Sequence, residues 1–337
     1  MDSNYTYMVC TKCMTFNHHA YIEDAMNGFV MQKTDFPFVC VIVDDASTDG
    51  EPEVIKKYFQ TNFDLTENTE TDDYVMTFGQ HKTNKNCYFA VLYLKYNHYS
   101  IKKDKTPYYS KWQDNSKYIA LCEGDDYWIA AEKLQRQADF LEKNEDYVLC
   151  HTDFEATKKR HFHYKEIYKD GNYFPSMLKK NFSIGTLTVM IRTDSYKKIP
   201  KYFIGKGWPM TDKPLWYELA YIGKFTYIPL ITAMYRILQE SASHSKNIKK
   251  LIYFKNAGLE IKRFYAKKYG IMLKNDGYTP NYYTNLLKYA YDLKEFDIAK
   301  KIYREARKKN LLSIKGYIYY WGTKNKYLRK IISKILN

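Results

Sequence analysis

Residues 38–43 read Phe-Val-Cys-Val-Ile-Val, six apolar residues without a break, and Asp44-Asp45 follow at once. A strand with one wet face alternates apolar and polar residues, so an unbroken run of this length fits a strand covered on both faces. That is the habit of parallel sheets under crossover helices. Residues 118–122, Tyr-Ile-Ala-Leu-Cys, repeat the pattern and run into Glu123-Gly124-Asp125-Asp126. Clustered carboxylates repel and raise one another's pKa. A hard divalent cation with oxygen ligands relieves that cost, and a solvated acidic turn is the plainer alternative.

The flanking pattern supports a layered α/β chain. Residues 7–15 read as a strand and residues 21–32 as a helix with Tyr21, Ile22, Ala25, Met26, Phe29 and Val30 on one face. After the strand at 38–43, Ser47, Thr48 and Asp49 are N-cap candidates, and Pro52 suits the first turn of a helix over 54–63. Residues 64–73 read as a polar loop, 74–78 as a strand, 86–97 as a helix and 99–115 as a charged surface insertion. The strand at 118–122 precedes an amphipathic helix over 130–143 and a strand over 147–151. Residues 155–180 carry no clear pattern. A strand over 184–191, a helix over 211–221 and two short strands over 225–228 and 233–237 follow. The β-α-β-α order predicts a mostly parallel sheet flanked by helices.

The chain of 337 residues is long enough for one large or two ordinary domains. Its net charge of +15 is unevenly placed. Residues 1–245 hold 30 Lys and Arg against 32 Asp and Glu, whereas residues 246–337 hold 23 against 6. We therefore expect a domain over 1–245 and a basic helical region over 246–337 with an anionic partner. Within it, 282–293 and 296–309 read as an antiparallel helix pair. Ala290, Phe296, Ala299, Tyr303 and Ala306 resemble half of a tetratricopeptide unit. Tyr327, Leu328, Ile331, Ile332, Ile335 and Leu336 make one stripe of a last helix ringed by Lys and Arg, a pattern suited to an anionic bilayer surface or to docking on the domain.

Six cysteines are present, four of them in strand-like runs, and Cys10-Thr-Lys-Cys13 has no second pair with which to build a zinc site. No leader pattern stands at Met1-Asp2-Ser3-Asn4, and no run approaches the roughly 18–20 apolar residues of a spanning helix. The expectation is a cytoplasmic protein, peripheral at most on the inner face of the membrane.

Two acidic clusters thus follow two strands of one sheet, at the edge where open α/β sheets bind ligands. Met14-Thr15-Phe16-Asn17-His18, then Val43-Asp44-Asp45-Ala46-Ser47-Thr48-Asp49-Gly50, then Glu123-Gly124-Asp125-Asp126-Tyr127-Trp128, resemble the three signatures of family 2 glycosyltransferases. The resemblance covers roughly residues 5–240. It implies the GT-A fold, a doubly wound, mostly parallel nucleotide-sugar-binding sheet, here with a C-terminal helical extension. It also implies an inverting, metal-dependent transfer from a nucleotide-sugar, UDP being the commoner base, to a hydroxyl of a glycan or lipid-linked acceptor in surface-polysaccharide synthesis.

The resemblance assigns roles to individual positions. Asp45 would bind the nucleotide base beside Asp44, with Thr15 and Asn17 lining the same pocket. Asp125 and Asp126 complete a DXD-type motif in which Asp126 holds Mn2+ or Mg2+ on the diphosphate and Asp125 lies near the ribose or sugar. Glu123, Trp128 and Trp208 would contact substrate. Asp212, in Trp208-Pro209-Met210-Thr211-Asp212-Lys213-Pro214-Leu215-Trp216, matches the general base. Pro214 suits a first helical turn, and the helix dipole favours a carboxylate there, so an N-cap role coexists with that of base. Two departures stand out. The family's Tyr-Arg-x-His is Tyr235-Arg236-Ile237-Leu238 here, which leaves Arg236 for the phosphates and His244 as a distant substitute. Met14 stands where a Pro is common. The competing class is a non-enzymatic membrane- or nucleic-acid-binding protein that uses the basic helices. An acidic sheet edge opposes nucleic acid.

Overall fold

The computed structural model describes residues 5–157, 160–162, 171–179, 184–200, 206–238 and 245–336. In chain order the elements are β1 (Tyr7–Thr15), α1 (Ile22–Val30), β2 (Phe38–Asp44), α2 (Glu51–Asn62), β3 (Phe63–Glu70), β4 (Tyr74–His81) and β5 (Cys87–Leu94). Then come α3 (Thr106–Asp114), β6 (Ser116–Leu121), β7 (Tyr127–Trp128), α4 (Lys133–Lys143), β8 (Tyr147–Ala156), β9 (Arg160–Phe162) and α5 (Tyr173–Lys179). β10 (Val189–Arg192), α6 (Thr193–Lys197), α7 (Asp212–Ile222) and β11 (Lys224–Tyr235) follow, and the remainder is helical. Those helices are α8 (Ile248–Lys268), α9 (Pro280–Asp292), α10 (Phe296–Lys308), α11 (Ile314–Lys324) and α12 (Lys326–Leu336).

The chain divides into two compact units. The first comprises Met1–Ser176, Phe182–Pro200 and Glu218–Arg236, and the second Met177–Asn181, Lys201–Tyr217 and Ile237–Asn337.

In the first unit, eleven strands form one mixed sheet in the order β3-β4-β5-β2-β1-β6-β10-β8-β11-β7, with β9 beside β8. The parallel block is β5-β2-β1-β6, and β8 and β11 make the other parallel pair. The remaining pairings are antiparallel. β2 is buried along its whole length, as its unbroken apolar run requires. Phe29, Phe38, Phe89, Tyr118 and Trp128 fill the core on one side of the block, and Val39, Val41, Ala90, Leu92 and Trp112 fill the other.

Three sequence expectations change here. Residues 86–97 hold strand β5, not a helix, because an apolar run of eight is equally good as a doubly covered strand and its partner β2 decides. Residues 64–73 are largely β3, a polar edge strand held by pairing with β4. The two short strands expected over 225–237 are one long β11 whose register on β8 shifts at bulges.

In the second unit, α9, α10 and α11 share a core of Leu286, Leu287, Ala290, Ala299, Ala306 and Tyr320. The small residues expected to form a close helix pair, Ala290, Ala299 and Ala306, are fully buried in it.

Candidate functional site

Parallel register brings three strand ends to one level. Thr15 at the end of β1 stands opposite Asp44 at the end of β2. On the other side of β1, Lys12 stands opposite Leu121, and the chain beyond β6 stays paired through Gly124 N to Met14 O at 3.1 Å. Asp45 N donates to Thr15 O at 3.0 Å. The loops carrying Thr15 and Asn17, Asp44 and Asp45, and Glu123 to Asp126 are therefore neighbours at the carboxyl edge.

Gly124 sets how closely two of them approach. A Cβ there would lie 2.1 Å from Thr15 Oγ1 and 2.6 Å from Thr15 Cβ, so only glycine fits. Thr15 itself is buried, and its hydroxyl donates to Glu51 and lies 3.1 Å from His18 Nδ1. The hydroxyl expected to line a nucleotide pocket is thus spent on contacts within the protein.

Glu51 was not foreseen. It is fully buried at the start of α2 and accepts three donors: the Thr15 hydroxyl, His18 N at 2.8 Å and the Ser47 hydroxyl at 2.9 Å. It thereby knots the loop after β1 to the loop after β2. Asn17 (φ 56°) and Ala46 (φ 62°) adopt left-handed backbone in these loops. The Asn17 side chain accepts Thr48 N at 2.9 Å, and Ser47 Oγ accepts Asn17 N at 2.9 Å. An acidic residue in a first helical turn is ordinary, so nothing in the sequence marked Glu51 as inward-facing.

Asp44 is buried, accepts Ser47 N at 3.3 Å, and has its carboxyl pushed up to about 6 by burial. Asp45 is also buried and accepts three hydrogen bonds. Oδ1 accepts His98 N at 2.8 Å, while Oδ2 accepts Tyr99 N at 3.1 Å and Lys105 Nζ at 2.9 Å. A carboxylate has about four lone-pair sites, so three donors leave one for a ligand. The loop after β5 therefore belongs to this corner.

At the other corner, Asp126 is buried and Asp125 half-exposed. Asp126 Oδ1 accepts Arg236 N at 2.8 Å. Burial, with the Asp125 charge adding, pushes the Asp126 carboxyl up to about 8, and the Arg236 N–H works against that rise. Arg236 stands just beyond β11. Its guanidinium donates to Asp125 O at 2.9 Å, pairs with Asp24, and lies 4.3 Å from the Tyr127 ring centroid and 5.0 Å from that of Tyr21. The Glu123 carboxylate accepts the Thr186 hydroxyl at 2.7 Å.

Trp128, expected to contact substrate, is instead a core residue. It is buried against Phe29 at 5.0 Å, its indole N–H donates to Leu187 O at 2.9 Å, and Lys133 Nζ lies 4.4 Å from its ring. An aromatic pair after an acidic motif packs under the loop as readily as over it.

Trp208 and Asp212 belong to the second unit. The Trp208 indole donates to Glu260 at 3.1 Å. Asp212 opens α7, and burial raises its carboxyl while the adjacent Lys213 opposes the rise. His244 lies outside the described residues.

A mannosyltransferase from Pyrobaculum calidifontis, solved with GDP-Man and Mn2+, superposes with a TM-score of 0.50 at 11% identity, over 98% of this chain and 84% of that one. This is a glycosyltransferase fold. The doubly wound α/β sheet flanked by helices, with its C-terminal helices, is the architecture expected for it. S. aureus TarS aligns over 96% of this chain and 50% of its own, with a TM-score of 0.49 and 14% identity. In sequence, the uncharacterized proteins Rv1520 of Mycobacterium tuberculosis (strain ATCC 25618 / H37Rv) and Mb1547 of Mycobacterium bovis are each 27% identical over 240 residues, 69% of this chain. The chain spans 59% of the length of these relatives. No family model matches.

Proposed function

We propose that the chain is an inverting, metal-dependent glycosyltransferase of the family 2 type. It moves a hexosyl group from a nucleotide-sugar, UDP first among the candidates, to a hydroxyl of a glycan or lipid-linked acceptor of the cell surface. The observation that carries this reading is the placement of Asp125 and Asp126 at the end of β6, two strands from Asp44 and Asp45 at the end of β2. That arrangement leaves acidic groups at both ends of a crevice of the kind that takes a nucleotide diphosphate in open α/β sheets.

The donor set fits a divalent ion. Asp126 Oδ2 and the Asp125 carboxylate have no hydrogen-bond donor among the described residues, and no group of three or more His, Cys, Asp or Glu is arranged as a metal cage among them. Mg2+ characteristically takes one or two protein carboxylates and fills its shell with substrate phosphates and water. When bound, such an ion offsets the charge of the departing diphosphate. The protein's part is to hold the donor: Asp45 through its remaining lone pair, Asn17 and Asp44 along the same loops, and Arg236 beside the phosphates. Asp212 takes the acceptor proton, a role helped by burial that raises its carboxyl above the ordinary range.

The working place we propose is the inner face of the membrane. No helix among the described residues is long and apolar enough to cross a bilayer. Tyr327 and Ile331 of α12 are 82% and 56% exposed on a segment rich in Lys and Arg. Deleting residues 323–337 should release the chain from anionic liposomes, and unchanged binding removes this placement.

The donor reading is tested by thermal shift and donor hydrolysis with a panel of UDP- and GDP-sugars, with and without Mn2+. We expect one base to stabilise the chain only with the metal. No metal-dependent stabilisation by any nucleotide overturns the reading in favour of a non-enzymatic membrane-binding protein.

A further inference from the structure

The second unit holds a cluster of lysines that the donor chemistry does not use. Lys213 is the second residue of α7, and its ammonium rests on the backbone of α8, donating to Gly258 O at 3.2 Å. It fits because residue 258 lacks a side chain, since a Cβ there would lie 3.2 Å from Lys213 Nζ. Lys255 and Lys262 stand three residues before and four residues after Gly258 on the same helix. Each position lies about 5–6 Å from position 258, and the two lysines are about 10.5 Å apart along the same face, with Gly258 and the Lys213 ammonium between them. Three cations therefore converge on one stretch of α8.

Their counter-charges are few among the described residues. Lys262 is only 3% exposed and makes no hydrogen bond or ion pair among the described residues. Among the described residues, Lys255 has the Tyr289 ring, 5.9 Å from its ammonium, and no carboxylate partner. The other carboxylates along α8 are engaged elsewhere: Glu260 accepts the Trp208 indole at 3.1 Å, and Asp276 pairs with Arg263 at 2.5 Å. Among the described residues, Asp212, next to Lys213 in the chain, is the carboxylate that offsets the cluster. Burial and mutual repulsion lower Lys213 to about 8, and burial lowers Lys255 and Lys262. Burying unpaired charge costs free energy unless a ligand completes the site.

The geometry points to a phosphate-binding site formed by Lys213, Lys255 and Lys262 beside Asp212, which takes a dianionic phosphate group of the acceptor. With a bound anion holding all three lysines protonated, three ammonium groups less one carboxylate give a net charge of +2, which a phosphomonoester or a diphosphate, at about −1.5 to −2 per terminal group, matches and a single carboxylate does not. The assignment to the acceptor rests on Asp212 serving as the base proposed above. The anion site itself does not.

The test is lysine acetylation of the full chain at pH 8, mapped by mass spectrometry. Glycerol 3-phosphate should slow modification of the half-buried Lys213 and Lys255 several-fold, while glycerol, or chloride at the same ionic strength, should not. Lys262→Arg should keep the protection of Lys213 and Lys262→Met should lose it. Phosphatidylcholine vesicles containing phosphatidic acid separate a lipid-borne phosphate from a soluble one: protection by vesicles alone assigns the group to a lipid, and protection by glycerol 3-phosphate to a soluble acceptor. Absence of protection in every arm, or equal protection by chloride, overturns the site. Donor binding is read separately by thermal shift. Protection without a nucleotide shift keeps the anion site and sinks the transferase reading, and a shift without protection does the reverse.

Discussion

Asp126 Oδ1 accepts the backbone N–H of Arg236 at 2.8 Å, which ties the acidic loop after β6 to the end of β11. An asparagine at 126 can accept the same bond without the buried charge. The wild-type carboxyl is raised to about 8, so between the ordinary carboxylate pKa of about 4 and pH 8 the folded chain holds a proton that the unfolded chain has lost. Without metal, stability should therefore fall as pH rises across that window and level off above it. Asp126→Asn should remove this slope, raise the metal-free Tm at pH 8 by several degrees, and abolish metal-dependent stabilisation by nucleotide-sugar. A variant that still responds to metal and donor like the wild type sinks the assigned role.

Gly124 leaves no room for a methyl group above Thr15. Gly124→Ala should cost about 1–3 kcal/mol in denaturant unfolding, as overpacking does in a buried contact. It should also weaken donor binding, because the acidic loop must lift. Thr15→Gly in the same chain removes the clashing Cβ and should recover part of the loss. No recovery in the double variant would mean that the two loops are not packed as described.

Glu51 satisfies Thr15, His18 and Ser47 at once. Glu51→Ala leaves those donors buried and unmet, at a cost of about 3 kcal/mol. Glu51→Gln can keep the bonds from His18 and Ser47 while the Thr15 hydroxyl turns to His18 Nδ1, so its stability cost should be smaller. In both variants the donor KM should rise more than kcat falls, since the loops at stake are those proposed to hold the nucleotide. An unchanged KM would make Glu51 a residue of stability alone.

Lys133 is buried, donates to Gln137 Oε1 at 2.6 Å, and is lowered to about 7 by burial. Between pH 7 and the ordinary lysine value of about 10.4, the unfolded chain binds a proton that the folded one does not, so stability should rise with pH there. Lys133→Met keeps the volume and removes the titration. Its Tm should exceed the wild-type value below pH 7, and the gap should close as pH rises. A gap independent of pH would show that the ammonium is not desolvated.

Much of the parallel block was legible in sequence. The runs in β2 and β6 are apolar because both faces are covered, and their carboxylates follow at the edge where open α/β sheets bind ligands. β5 was not legible, since its eight apolar residues suit a helix or a strand alike until β2 is present to pair with. β3 was hidden for the opposite reason: it is polar and exposed, and only the hydrogen bonds of β4 make it a strand.

For the candidate site, the acidic runs after two strands singled out Asp44, Asp45, Asp125 and Asp126, and the family resemblance added Thr15, Asn17, Arg236 and Asp212. What each of them touches came only with the tertiary structure. Lys105 reaches Asp45 across 60 residues, Arg236 reaches Asp126 across 110, and Trp128 turns into the core to bond Leu187 O. Local pattern determines whether a stretch becomes buried strand or amphipathic helix, because covering apolar surface depends on periodicity. Which carboxylate is engaged, which is open and which is desolvated depends on donors distant in sequence, and those are decided only when the sheet closes its register.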